Sequence, residues 1–234
     1  MKRFTDRWTA ESDAAQEQSI MQHLQPYAHP RICNVKYIQD AIIAYPYHRH
    51  GDLRAYLQEA FPTNKVPLGF PWHVPVQLVE ALAFLQHGCE LASTEPRAGW
   101  QPITHSDIDL RNILVTDVHE PGSSYPNIVI TDFGIAEIAD VMKKGRVGYS
   151  DLWDEADIES AGMAVVHTCA WYDNLDTEKK LLQRTKIGSP MAQVLYYWVY
   201  KAIYDPETTA MDMLQSMVPI GKSIMAGLDG TETE

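Results

Sequence analysis

Cysteine is scarce in this chain. Cys33, Cys89 and Cys169 lie far apart and form no Cys-x-x-Cys pair. That spacing argues against a disulfide framework and a paired-thiol zinc site, and it fits buried or free thiols in a reducing compartment. Cations are also few, 19 Lys and Arg against 31 Asp and Glu, for a formal net charge of −12. So acidic a chain is a poor partner for nucleic acid or for an anionic membrane. The opening MKRFTDRWTAESD has no apolar core of the signal-peptide kind. The longest apolar stretch, around Ala161 to Trp171, is too short to span a bilayer. Internal repeats and low-complexity blocks are absent. The expectation is a soluble protein of the cytoplasm or nucleus, with neither nucleic acid nor membrane as a partner.

What is present is enough to fold. With 234 residues and 45% hydrophobic content, the chain can build one domain, or one large lobe plus a fragment. Apolar residues at Ala14, Ile20, Met21 and Leu24 predict a helix from Ala10 to Leu24. RICNVKYIQDAIIAYPY reads as two strands with a turn near Gln39-Asp40. Asp52 is a plausible N-cap for a short helix, DLRAYLQEA. The proline-rich FPTNKVPLGFPWHVP reads as loop. VPVQLVEALAFLQHG then reads as an amphipathic helix closed by Gly88. Residues 89–103 look like an irregular insertion, and NILVTD and NIVITDF like a hairpin. Helices are expected at Ala156–Ala170, Thr177–Arg184, Met191–Tyr204 and Thr208–Met217, before a disordered acidic tail.

One constellation carries chemistry. His105, Asp107 and Asn112 form HxDxxxxN, and Asp132-Phe133-Gly134 follows twenty residues after Asn112. Transfer of a γ-phosphoryl group needs a carboxylate beside the attacking hydroxyl. It also needs a carboxylate and a carboxamide to hold Mg²⁺ on the phosphates. These residues supply all three groups.

On these motifs the chain resembles the eukaryotic protein kinase catalytic domain, chiefly its C-terminal lobe, from about Glu17 to about Leu214. The stretches GWQPITHSDIDLRNILV and YPNIVITDFGIAEI look like divergent kinase-like proteins of the fungal type. The resemblance implies an α+β fold with a reduced N-lobe over residues 1–46, lacking a Gly-rich loop. A mainly helical C-lobe would follow over 47–218, then a tail over 219–234. It implies Asp107 as catalytic base, and Asn112 and Asp132 as Mg²⁺ ligands. His105, Phe133 and Met21 would be packing elements between the lobes. Asp157 in ADIESAGM would anchor the catalytic loop. ATP would contact Tyr45 and Tyr47 in a hinge-like AIIAYPYHRHGDL, with Leu114 beneath the purine. Glu17 resembles the helix glutamate that pairs with a strand lysine, and Lys2 stands fifteen residues before it.

Departures from the family pattern leave several readings open. Ser106 replaces the HRD arginine, which weakens the case for switching by activation-loop phosphorylation. Asp109 stands where Ser/Thr kinases carry a lysine. Arg111, four residues after Asp107, either restores that cation, as in the tyrosine-kinase HRDLAARN, or is a solvated surface arginine. No GxGxxG occurs, and no APE motif lies between Asp132 and Asp157. Three functions remain in view. The first is an ATP- and Mg²⁺-dependent protein kinase acting on a protein Ser, Thr or Tyr hydroxyl. The second is a pseudokinase binding module. The third is a small-molecule phosphotransferase of the aminoglycoside or choline kinase type.

Overall fold

The structure, a computed structural model, describes residues 2–3, 10–39, 42–62, 69–121, 123–139, 156–165, 168, 190–205 and 207–229. Of residues 2–3, 10–13, 190–196 and 228–229 it describes the backbone alone. The predicted helix Thr177–Arg184, Cys169 and residues 230–234 lie outside the described residues.

The first helix, α1 (Ala10–Leu24), follows its apolar spacing. Ala14, Glu17, Ile20, Met21 and Leu24 form its buried face. Three short strands make an antiparallel sheet: β1 (Lys2–Arg3), β2 (Tyr37–Gln39) and β3 (Ile42–Ala44), in the order β1-β3-β2. Lys2 pairs with Ile43, and Ile38 pairs with Ile43 from the other side. Asp52 caps α2 (Leu53–Ala60) by accepting the Ala55 N–H at 2.8 Å.

The central helix α3 (Phe70–His87) corrects the loop reading of FPWHVP. Pro71 sits in the first turn, where a missing N–H leaves no bond unmade. Pro75 forfeits one early bond only, and burial outweighs it. Every residue from Phe70 to Gln86 is buried. Gly88 closes the helix in the left-handed region (φ 69°) and donates its N–H to Phe84 O at 2.7 Å.

Two hairpin-type pairings follow. β4 (Ile103–Thr104) pairs with β7 (Glu137–Ile138). Between them, β5 (Ile113–His119) pairs antiparallel with β6 (Pro126–Ile130), with Leu114 opposite Val129. Three further helices complete the fold: α4 (residues 156–165), α5 (Pro190–Tyr204) and α6 (Ala210–Asp229). This mix of mainly helix with short strands is the expected α+β kinase-like architecture.

Helix α6 is longer than its sequence suggests, so residues 219–229 are not an irregular tail. The helix passes through Pro219 because its far half has something to pack on. Gly221 lies so close to α3 that a Cβ there would stand 2.6 Å from Val76. Ile224 and Met225 pack on the core, and Lys222 Nζ reaches Glu80 Oε1 at 2.5 Å. Trp198 of α5 meets Trp72 of α3 edge to face, 5.8 Å between centroids.

Glu80 also holds Arg31 at 2.8 Å, with both side chains almost fully buried. Arg31 pairs in addition with Glu120. The Arg31–Cys33 backbone runs parallel to the end of β6: Ile130 N–H donates to Arg31 O and Cys33 N–H to Ile130 O, each at 2.9 Å. The segment between α1 and β2 is therefore joined to α3, α6 and the β5–β6 hairpin at once. Two unlike buried charges left unpaired would be costly, so this junction is held strongly.

Two buried histidines flank the junction. Burial, reinforced by Arg31, lowers the pKa of His29 to about 3. Burial lowers that of His73 to about 4, against the opposing hydrogen bond from its Nε2–H to Pro126 O at 2.9 Å. Both are neutral in the folded state, whereas the unfolded chain takes up protons below about 6.5. Stability is thus full above pH 6.5 and falls as the pH drops towards 4. Chemical unfolding followed across pH 7 to 4 should show this loss, and His73→Gln should flatten part of it.

Candidate active site

The site is assembled by backbone geometry around one buried carboxylate. Asp157, at the start of α4, is fully buried. Its Oδ2 accepts the His105 N–H at 2.6 Å, and its Oδ1 accepts the Ser106 N–H at 2.8 Å. Successive amides turn toward one carboxylate because Ser106 adopts a left-handed conformation, φ 66°. The chain is thereby turned so that Asp107 faces solvent.

The His105 ring carries the arrangement to the next strand. Its Nε2–H donates to Thr131 O at 2.9 Å, and its Nδ1 accepts the Asp107 N–H at 3.2 Å. One neutral tautomer satisfies both bonds. The ring meets Phe133 edge to face at 4.7 Å, and Phe133 is fully buried. Thr131 is held from its other side too, since its N–H donates to Asn112 O at 2.9 Å. Asp132 follows directly, also left-handed at φ 66°. A non-glycine residue held there marks backbone that its surroundings over-determine, a condition concentrated at functional sites.

Asp107 and Asn112 are brought together. Asn112 Nδ2 donates to Asp107 Oδ2 at 2.8 Å and to Asp107 O at 2.9 Å. With both amide hydrogens committed to Asp107, Asn112 Oδ1 remains as an oxygen donor. Asn112 Oδ1 and the Asp132 carboxylate are both hard oxygen donors, the kind of ligand that Mg²⁺ would take. Among the described residues no cluster of three His, Cys, Asp or Glu could hold a metal alone.

Arg111 lies exposed, with its Nε 2.7 Å from Asp109 Oδ1. Asp109 also accepts the Arg111 N–H at 3.0 Å, capping the short 3₁₀ turn Leu110–Asn112. The bond to Asp109 raises the Arg111 pKa above its ordinary value. In this structure Arg111 is a surface arginine paired with Asp109.

On the other wall, Glu17 is fully buried and accepts the Tyr45 hydroxyl at 2.6 Å. Burial, and then the Glu17 charge, push the Tyr45 phenol well above its usual pKa. Tyr45 is within electrostatic reach of Asp132 as well. Tyr47 points into solvent, 86% exposed. Leu114 sits under the segment leading to α2, through its bridge to Asp52 and the Val115 N–H bond to Gly51 O at 3.0 Å. Met21 is buried in the core. The Lys2 backbone lies beside Ile43, and its side chain is outside the described residues.

Three contacts at the site are invisible in sequence. The Tyr45–Glu17 bond spans 28 positions. Gln16, next to Glu17 on α1, donates to Ala136 O at 2.7 Å and ties the helix to the chain after Gly134. Cys33 packs beside Thr131, and burial raises its thiol pKa to about 11, too high for an active thiolate. Its nearest imidazole is His48 at 3.7 Å. No local pattern signals any of the three.

The family model for protein tyrosine and serine/threonine kinases matches residues 1–151, well over half of the chain. The chain belongs to that family, whose members are phosphotransferases that generally use ATP and Mg²⁺. A comparison with curated proteins finds no match. Among the described residues, no helix is long and apolar enough to cross a membrane.

The Asp157 contacts generate a test. Asp157→Ala strands two buried amides that now bond a carboxylate. It should lower the unfolding free energy by about 3 kcal/mol, read from urea midpoints at constant m.

Proposed function

We propose that this chain is an ATP- and Mg²⁺-dependent protein kinase that transfers a phosphoryl group to a Ser, Thr or Tyr hydroxyl. The observation that carries this reading is the convergence of Asp107, Asn112 and Asp132 through the backbone of Thr131. Three polar groups from two segments are gathered there, one on the catalytic loop and one after β6.

Asp107 orients the acceptor hydroxyl and takes its proton as the oxygen bonds to the γ-phosphorus. The bond from that phosphorus to the β–γ bridging oxygen breaks, and ADP leaves. Asn112 fixes the Asp107 carboxylate and offers Oδ1 to the metal. Asp132 offers its carboxylate. Bound Mg²⁺ supplies charge neutralisation to the phosphates. Arg111 cancels the charge of Asp109, so that carboxylate no longer repels the γ-phosphate. Tyr45 and Glu17 form the inner wall, and Leu114 the floor beneath the purine. The Pro46 carbonyl and the Tyr47 amide present the polar edge to adenine.

A binding module without catalysis is the second reading. It is favoured by the Tyr45 hydroxyl bonded to Glu17, the carboxylate that a strand lysine would pair with.

Thermal shift with ATP, with and without Mg²⁺, on wild type and Asp132→Asn separates the two. The kinase reading expects a Mg²⁺-dependent rise in wild type that is lost in Asp132→Asn. It also expects transfer of labelled phosphate to a peptide library, reduced roughly 10²–10⁴-fold in Asp107→Ala. A rise without transfer would leave a nucleotide-binding module. No rise in folded protein would overturn the nucleotide site itself.

A further inference from the structure

The segment 89–103 has no counterpart in the chemistry above, yet it places an aromatic side chain between α1 and α3. Trp100 lies against three rings, from α1, the turn after it and α3. It meets His23 of α1 at 5.7 Å and Tyr27, just past α1, at 4.9 Å, both edge to face. It meets Phe84 of α3 at 5.0 Å. The Arg97 guanidinium covers the other side of Tyr27, 4.8 Å from the ring centroid.

The same segment satisfies carbonyls that the end of α3 leaves open. Trp100 Nε1–H donates to Leu85 O at 2.8 Å, and Arg97 N–H donates to His87 O at 2.9 Å. Arg97 is further held by Glu90 at 2.8 Å. Gly88 is required twice over. Its φ is 69°, and a Cβ there would stand 2.6 Å from Trp100 and 2.9 Å from Arg97. The segment is therefore seated on α3 and grips α1 from that seat.

Helix α1 is the element whose position the site depends on. Its middle carries Gln16 and Glu17, which bond Ala136 and Tyr45. His23 lies six positions on, about 9 Å along the axis. A helix fixed at that end has little freedom to swing Glu17 away from Tyr45.

We propose that residues 89–103 form a clamp that locks α1 onto α3 through Trp100 and Arg97, making Trp100 a positioning residue for the nucleotide site. This rests on the kinase reading for its consequence, not for the clamp itself. The clamp is built from contacts within the chain itself, at the end of α1 beyond Glu17.

Amide hydrogen exchange without nucleotide, together with ATP·Mg²⁺ titration, tests it on wild type, Trp100→Ala and Trp100→Phe. The alanine variant should exchange the α1 amides of residues 14–24 roughly tenfold faster, with β5–β6 amides unchanged. Its apparent ATP affinity should fall roughly tenfold, and Trp100→Phe should recover most of both. Unchanged α1 exchange in folded Trp100→Ala overturns the clamp. Equal acceleration in α1 and β5–β6 also overturns it, because Trp100 would then be an ordinary core residue. Faster α1 exchange with unaltered ATP affinity overturns the positioning role. If Trp100→Ala does not fold, Arg97→Ala carries the same readouts at about threefold amplitude. If wild type binds no ATP, the kinase reading and the consequence for ATP fall together, while exchange still decides the clamp.

Discussion

A single buried carboxylate governs the geometry of the site. Asp157 draws the His105 and Ser106 amides inward, and the left-handed turn at Ser106 sends Asp107 outward. The His105 ring then reaches Thr131, whose own N–H binds Asn112. Asp107, Asn112 and Asp132 each lie within two covalent or hydrogen-bonded steps of that chain of contacts. A carboxyl group taken out of water needs partners for its oxygens, and the two backbone N–H groups turned onto Asp157 supply them. The loop bends where it does because the alternative is a buried polar group without those partners.

A second constraint ties that site to the rest of the fold. Arg31 bonds Glu80 on α3, and its backbone pairs with the end of β6 two residues before Asp132. Lys222 brings α6 to the same glutamate. Helix α1 therefore leaves the site through a junction that also fixes α3, α6 and the β5–β6 hairpin. The Trp100 contacts grip the same end of α1 from the opposite direction. The two devices act on one helix, and both are built from side chains that find no partner near them in sequence.

Much of the fold was legible because periodicity and capping are local. The span of α1 follows from its apolar spacing, α2 from the Asp52 cap and the end of α3 from Gly88. Proline was misleading at the start of α3, where Pro71 and Pro75 suggested a loop, and α6 likewise runs past its expected end at Met217 and through Pro219. In each case burial against a neighbouring helix outweighs one lost hydrogen bond, and that burial cannot be read from the segment itself. At the site, HxDxxxxN and Asp-Phe-Gly stood out because their chemistry demands fixed residue types at short spacing. The pairing of Arg111 with Asp109 was not legible, because its spacing to Asp107 says nothing of which neighbour it will bond.

The amino-acid sequence by itself determined the family and the α+β class and singled out Asp107, Asn112 and Asp132 as site candidates, since each depends on residues close together in the chain. Only the tertiary structure decided the Tyr45–Glu17 bond, the Arg31–Glu80 junction and the seat of Trp100 between α1 and α3. These join residues 28, 49 and up to 77 positions apart, as counted from the chain numbering. Their free energy comes from leaving water together, and a sequence pattern carries no record of which distant groups will do so.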